Sequence, residues 1–136
     1  MKTSIVKEKS YNFALRIILT ARLLREQGEY EIARQLVRSG TGIGANVEEA
    51  LAGISRRDFV AKMGVASKEA RETHYWLRLL RDSEIQTGES IDSLISEAEE
   101  LLRILTAIVK TSQRDSLPQN SKLKIKNSKS SPGADC

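Results

Sequence analysis

The residues best suited to chemistry in this 136-residue chain are a run of cations near its middle. Lys68, Arg71, Tyr75 and Arg78 follow i, i+3, i+7, i+10 spacing, which puts them on one face of a helix. Arg57 lies further up the same side and His74 alongside. Guanidinium groups bind phosphate oxygens through paired donors, and an interleaved tyrosine offers a ring on which an unpaired base can stack. The pattern points to nucleic-acid contact. A solvated face with its cations tied to Glu69, Glu72 and nearby acids fits the same residues. Arg16, Arg22 and Arg25 form a second set of candidate phosphate contacts.

A second motif is the segment SGTGIGAN at 39–46. Gly40, Gly42 and Ala45 match the dinucleotide spacing G-x-G-x-x-A, but that fingerprint needs a preceding strand so that amides at a helix start face pyrophosphate. Here the preceding residues, IARQLVR, read as an amphipathic helix. Small residues that let a neighbouring helix approach, or a local kink, explain the glycines better.

Enzyme chemistry finds few parts. His74 is the only histidine, so neither a histidine-based triad nor a His-rich metal cluster can be assembled. The Glu-x-x-His pairs of di-iron bundles are absent. Glu48, Glu49 and Asn46 fit better as partners for Arg71 or Lys68 across a helix interface. The expectation is a non-enzyme with no catalytic residue, metal, cofactor or small-molecule substrate.

The elements that must position these residues are helices. Apolar residues recur at spacings of three and four over 10–27 (Phe13, Ile17, Ala21, Leu24) and over 30–52 (Ile32, Leu36, Gly40, Ile43, Val47, Leu51). Ser55, with Asp58 as its capping-box partner, opens a third helix striped by Phe59, Met63, Ala66, Ala70, Thr73, Leu77 and Leu80. A fourth spans 90–112, with Ile91, Leu94, Ala98, Leu101, Leu105 and Ile108 in one seam. Gly28, Gly53 and Gly88 punctuate the turns. Four amphipathic helices with short turns predict an all-α, antiparallel, up-down-up-down four-helix bundle over 1–113.

Two helices carry more apolar surface than one core face needs. Leu15, Leu19 and Leu23 lie away from Phe13, Ile17 and Leu24, and Val65, Trp76 and Leu79 lie off the seam of the third helix. A second copy of the chain is the simplest partner for them. A wide core stripe with scattered surface leucines is the plainer alternative.

Composition agrees with a globular helical protein: 40% hydrophobic, 29% charged and only 4% aromatic. The formal charge of +4 is unevenly spread, because residues 1–113 carry 17 Lys+Arg against 16 Asp+Glu. Most of the excess lies in 114–136, a Ser/Lys/Asn-rich segment with both prolines, which predicts a disordered basic tail. Its lysines Lys122, Lys124, Lys126 and Lys129 add a weaker pointer to polyanions, although such tails often only solubilise. The lone Cys136 cannot form an internal disulfide, and neither a signal peptide nor an apolar span is evident. The expected setting is cytoplasmic, with no membrane partner.

One block goes beyond bundle periodicity. RSGTGIGANVEEA at 38–50, SRRDF at 55–59 and KEARETHYWLRLL at 68–80 together resemble the bacterial four-helix-bundle family encoded within intervening sequences of 23S ribosomal RNA genes. That family is similar to the accessory variability protein of diversity-generating retroelements. The resemblance covers roughly residues 8–113. It implies a homopentameric barrel without catalytic activity and, for the retroelement relatives, binding of nucleic acid and of a reverse transcriptase through a basic surface. The expectation is thus a homo-oligomeric bundle that binds RNA or DNA through Arg57, Lys68, Arg71, Tyr75 and Arg78. The rival is a protein-interaction scaffold that touches no nucleic acid.

Overall fold

The computed structural model describes residues 2–115. Within them lie four α-helices and no strand: α1 (Lys2–Glu26), α2 (Tyr30–Ala52), α3 (Arg56–Asp82) and α4 (Glu89–Asp115). Residues 116–136, and with them the expected basic tail, lie outside the described residues; Arg114 and Asp115 belong to the last turn of α4.

Each helix packs on its chain neighbours and α1 closes on α4, whereas the backbones of the diagonal pairs stay apart. The result is a four-cornered bundle. Cross-helix partners run in opposite directions: Gly40 meets Ile17 and Gly44 meets Ser10, while Ser39 meets Thr73 and Glu49 meets Lys62. Lys9 pairs with Glu100 and Arg16 with Glu97, so α4 also runs against α1.

Short turns enforce this order. Gly28, at φ +84°, ends α1 in the left-handed conformation that only glycine adopts without strain. Its amide bonds to Arg25 O at 2.9 Å and the Glu29 amide to Leu24 O at 2.8 Å, the two bonds of a Schellman stop. At the next corner Ser55 Oγ accepts the Asp58 amide at 3.0 Å and so starts α3. The Asp58 carboxylate lies against Gly53.

The core contains the expected seams of Phe13, Ile17, Leu24, Leu36, Ile43, Met63, Leu77, Leu80, Leu94, Leu101 and Leu105. Two expectations change. α1 begins at Lys2 rather than near Ser10, because Val6 and Ser10 continue the spacing of Phe13 and Ile17 and both are fully buried. In the last turn of α2 it is Ala50 that faces inward, while Leu51 is exposed.

The three glycines of 39–46 lie inside a continuous helix, not in a loop. A Cβ on Gly40 would stand 2.8 Å from Ile17 Cγ2, and one on Gly44 would stand 3.3 Å from Ser10 Oγ. Gly42 faces α3, with Glu69 Oε2 3.1 Å from the position of a Cβ. The helix is glycine-rich because two neighbours come within reach of its backbone, and no free amide cluster remains for a phosphate.

Candidate nucleic-acid interface and apolar face

The rotation of α3 is fixed by its buried seam of Met63, Ala66, Ala70, Thr73, Leu77 and Leu80. That rotation leaves Arg57, Lys68, Arg71, Tyr75 and Arg78 exposed on the far side. The structure thus brings the five predicted contact residues onto one outer surface, though not into one pocket. Arg71 sits toward α4, at an open groove it shares with Leu102, Arg103, Thr106, Ala107 and Lys110. The Arg78 guanidinium lies 5.9 Å from the centre of the Tyr75 ring, and the Trp76 ring meets Tyr75 edge-on at 5.1 Å.

The charge partners differ from those expected. Glu69 and Glu72 turn toward α2, where both pair with Arg38. Glu49 pairs with Lys62 at 3.1 Å, and Asn46 Nδ2 donates to Gly42 O at 2.8 Å, so neither serves Arg71 or Lys68. Glu99 Oε2 lies within hydrogen-bond distance of His74 Nε2 at 3.0 Å, and Glu97 and Glu100 pair with Arg16 and Lys9 on α1. Arg16, a second-choice phosphate contact, is thereby taken, and its Nη1 also donates to Ser93 Oγ at 3.1 Å. Among the described residues no carboxylate stands in an ion pair with Arg57, Lys68, Arg71 or Arg78.

Two carboxylates are tuned by these surroundings. Burial in the α2–α3 seam pushes the Glu69 carboxyl above its ordinary value; the Arg38 charge opposes this, and the charge of Glu72 adds to it. Asp82 is held below its ordinary value by the Arg81 side chain, which donates to it at 2.8 Å, with the Arg78 charge as a further contribution. Neither group lines the groove.

The outer face of α1 is apolar. Leu15, Leu19 and Leu23 are 48%, 56% and 52% exposed, and Tyr11 and Ile18 extend the stripe. Tyr11 and Ile18 escaped the sequence reading, although their spacing from Leu15 and Leu19 carried the signal. On α3, Val65 and Leu79 are exposed as expected. Trp76 is not: it packs half-buried on the core of its own chain, and its indole N–H donates to Glu72 Oε2 at 3.1 Å. Arg103 and Lys110 were missed as well. Seven residues apart on α4, they share a face, but only the α3–α4 register reveals that this face adjoins Arg71.

Among the described residues no group of three or more His, Cys, Asp or Glu is placed to hold a metal ion, and no helix is long and apolar enough to cross a membrane.

A model of the 23S rRNA-intervening sequence protein family matches residues 2–107. A crystal structure of a protein of unknown function from the S23 ribosomal protein family of Bacteroides thetaiotaomicron VPI-5482 superimposes with a TM-score of 0.77. It is 44% identical in sequence, and the match covers 81% of this chain and 99% of that one. No curated protein matches the chain.

Proposed function

Because the chain belongs to the 23S rRNA-intervening sequence protein family, we propose that it is a non-catalytic, self-assembling helical bundle that binds nucleic acid in connection with ribosomal RNA. The observation that carries this reading is the outer face of α3, where Arg57, Lys68, Arg71 and Arg78 stand exposed while Glu69 and Glu72 are engaged by Arg38. Cations that no carboxylate holds in an ion pair keep their attraction for phosphate, and releasing counterions from the polyanion favours the complex. The near balance of charge over 1–113 does not oppose this. What matters to a polyanion is the local field, and here the acids are turned to other seams.

The apolar stripe of α1 supports assembly of several copies, and the homopentameric barrel is the form we propose for it. An accessory role beside a reverse transcriptase, as in the retroelement proteins, is a narrower version of the same reading. So is a cytoplasmic bacterial setting.

The test is titration of the purified protein into fluorescent RNA at two salt concentrations. Binding is expected to weaken steeply with salt, by a slope close to the number of phosphates neutralised. Arg71→Glu with Arg78→Glu is expected to weaken it by about tenfold or more, at roughly 1 kcal/mol per charge-assisted contact. Absence of binding by the wild-type protein at low salt would leave the scaffold reading in its place.

A further inference from the structure

We infer that the groove between α3 and α4 is a cleft for an unpaired nucleic-acid strand, with Arg103 and Lys110 of α4 as its second wall and Tyr75 as a stacking platform beside it. This rests on the nucleic-acid reading above and gives it a ligand class and two further residues.

The groove is open and has a volume of about 570 Å³. Arg71 reaches it from α3, and Arg103 and Lys110 from α4. Leu102, Thr106 and Ala107 complete its lining, which is more apolar than polar. Cations from two helices around a mostly apolar lining form a track on which phosphates sit at the rims while less polar parts of a nucleotide lie between them. A flat basic patch on a single helix offers no such lining.

No carboxylate lines the groove, and the acids nearest to it are engaged by other side chains. On α3, Glu69 and Glu72 serve Arg38 of α2. On α4, Glu97 and Glu100 serve α1, while Glu99, one turn before Arg103, meets His74 of α3 across the same seam. Among the described residues neither Arg103 nor Lys110 stands in an ion pair.

Tyr75 decides between an unpaired strand and a duplex. It lies one helical turn from Arg71 and is 47% exposed. Trp76 fixes its ring edge-on, and Arg78 rests 5.9 Å from its centre. An aromatic face held in place beside a cationic track suits splayed bases, which stack on it whatever their identity. In a duplex the base faces are already stacked inside and cannot reach it.

The experiment is fluorescence anisotropy with a labelled oligonucleotide of about a dozen nucleotides, presented unpaired and as a duplex, in RNA and DNA forms. The unpaired strand is expected to bind about tenfold more tightly than the duplex. Arg103→Glu with Lys110→Glu is expected to weaken unpaired-strand binding by about tenfold or more. Lys7→Glu with Arg34→Glu changes the net charge equally at exposed positions of α1 and α2, away from the groove, and should weaken it by less than about threefold. Tyr75→Ala should lower affinity for the unpaired strand by about fivefold or more and leave duplex binding unchanged. The RNA and DNA arms identify which strand is preferred. Circular dichroism verifies the fold of each variant, and Arg103→Gln with Lys110→Gln serves should the charge reversal unfold the bundle.

The groove is the wrong site if Arg71→Glu with Arg78→Glu abolishes binding while the α4 variants bind as wild type; nucleic-acid binding itself would then stand. Duplex affinity equal to that of the unpaired strand overturns the ligand class. A wild-type protein that binds neither overturns this inference and its parent together.

Discussion

Gly40 of α2 lies directly against Ile17 of α1, so close that a Cβ added to it would come within 2.8 and 2.9 Å of two Ile17 side-chain carbons. Ile17 is fully buried and β-branched, so it cannot swing aside. Gly40→Ala gains about 1 kcal/mol of helix propensity. It also overpacks the seam, at a cost of about 1–3 kcal/mol. The variant is expected to melt several degrees below the wild type. Gly64, on α3, has nothing within 4 Å of its Cβ position, so Gly64→Ala should raise stability by about 0.5–1 kcal/mol. Thermal melts of the two variants side by side test whether close approach, not glycine itself, matters at Gly40.

The hydroxyls of Ser39 and Thr73 are both fully buried and bonded to each other at 2.9 Å across the α2–α3 seam. Thr73→Val removes one partner, and the Ser39 hydroxyl then loses its cross-helix bond at a cost of about 1–3 kcal/mol. Adding Ser39→Ala removes the stranded group and should recover part of the loss. Denaturant unfolding of both single variants and the double variant measures the coupling, which is expected to be about 0.5 kcal/mol or more.

Glu69 gives the pH dependence a definite sign. Its carboxyl is raised in the folded chain by burial, so folding favours the protonated form. The stabilising contribution of that group is fully present below the ordinary carboxylate range and is lost as pH rises through the folded value. Glu69→Gln, which stays neutral, is therefore expected to melt at or above the wild-type temperature at neutral pH. Arg38 keeps Glu72 as a partner in that variant. The advantage should shrink on acidification, as wild-type Glu69 takes up its proton. Melting curves at neutral pH and below the carboxylate range, compared as differences, check this; an advantage that grows in acid would contradict it.

The fold was legible because its signals are local. Three- and four-residue spacing gave four helices, and Gly28 and Ser55 marked a stop and a start that the backbone uses. The start of α1 was missed because a single valine at Val6 and a small serine at Ser10 read as weak core residues until Gly44 is seen opposite Ser10. The candidate site was half legible. Exposure of the α3 cations follows from helical period alone. Their freedom from Glu69 and Glu72 does not, since it depends on Arg38 reaching across from α2. Arg103 and Lys110 depend on the α3–α4 register, and no single-helix pattern contains that register. Trp76 shows the opposite error, for its large ring bends back onto its own core from a position that the wheel places outside.

Assembly provides the last expectation. Leu15 and Leu19 sit on the face of α1 opposite Phe13 and Ile17, with about half of each side chain in solvent, so a charge there disturbs no contact within the single-chain core. In an isolated chain, Leu15→Glu with Leu19→Glu should leave stability nearly unchanged, as exposed substitutions usually do within about 0.5 kcal/mol. In an assembly that buries this stripe, the same pair places carboxylates in an apolar interface without partners and should dissociate it. Light scattering is therefore expected to give a wild-type mass several times that of one chain and a mass near one chain for the double variant. Helical content by circular dichroism should match between the two. A wild-type protein that scatters as a single chain at tens of micromolar would remove the assembly. A double variant that stays assembled would move the interface away from α1, toward Val65 and Leu79 on α3.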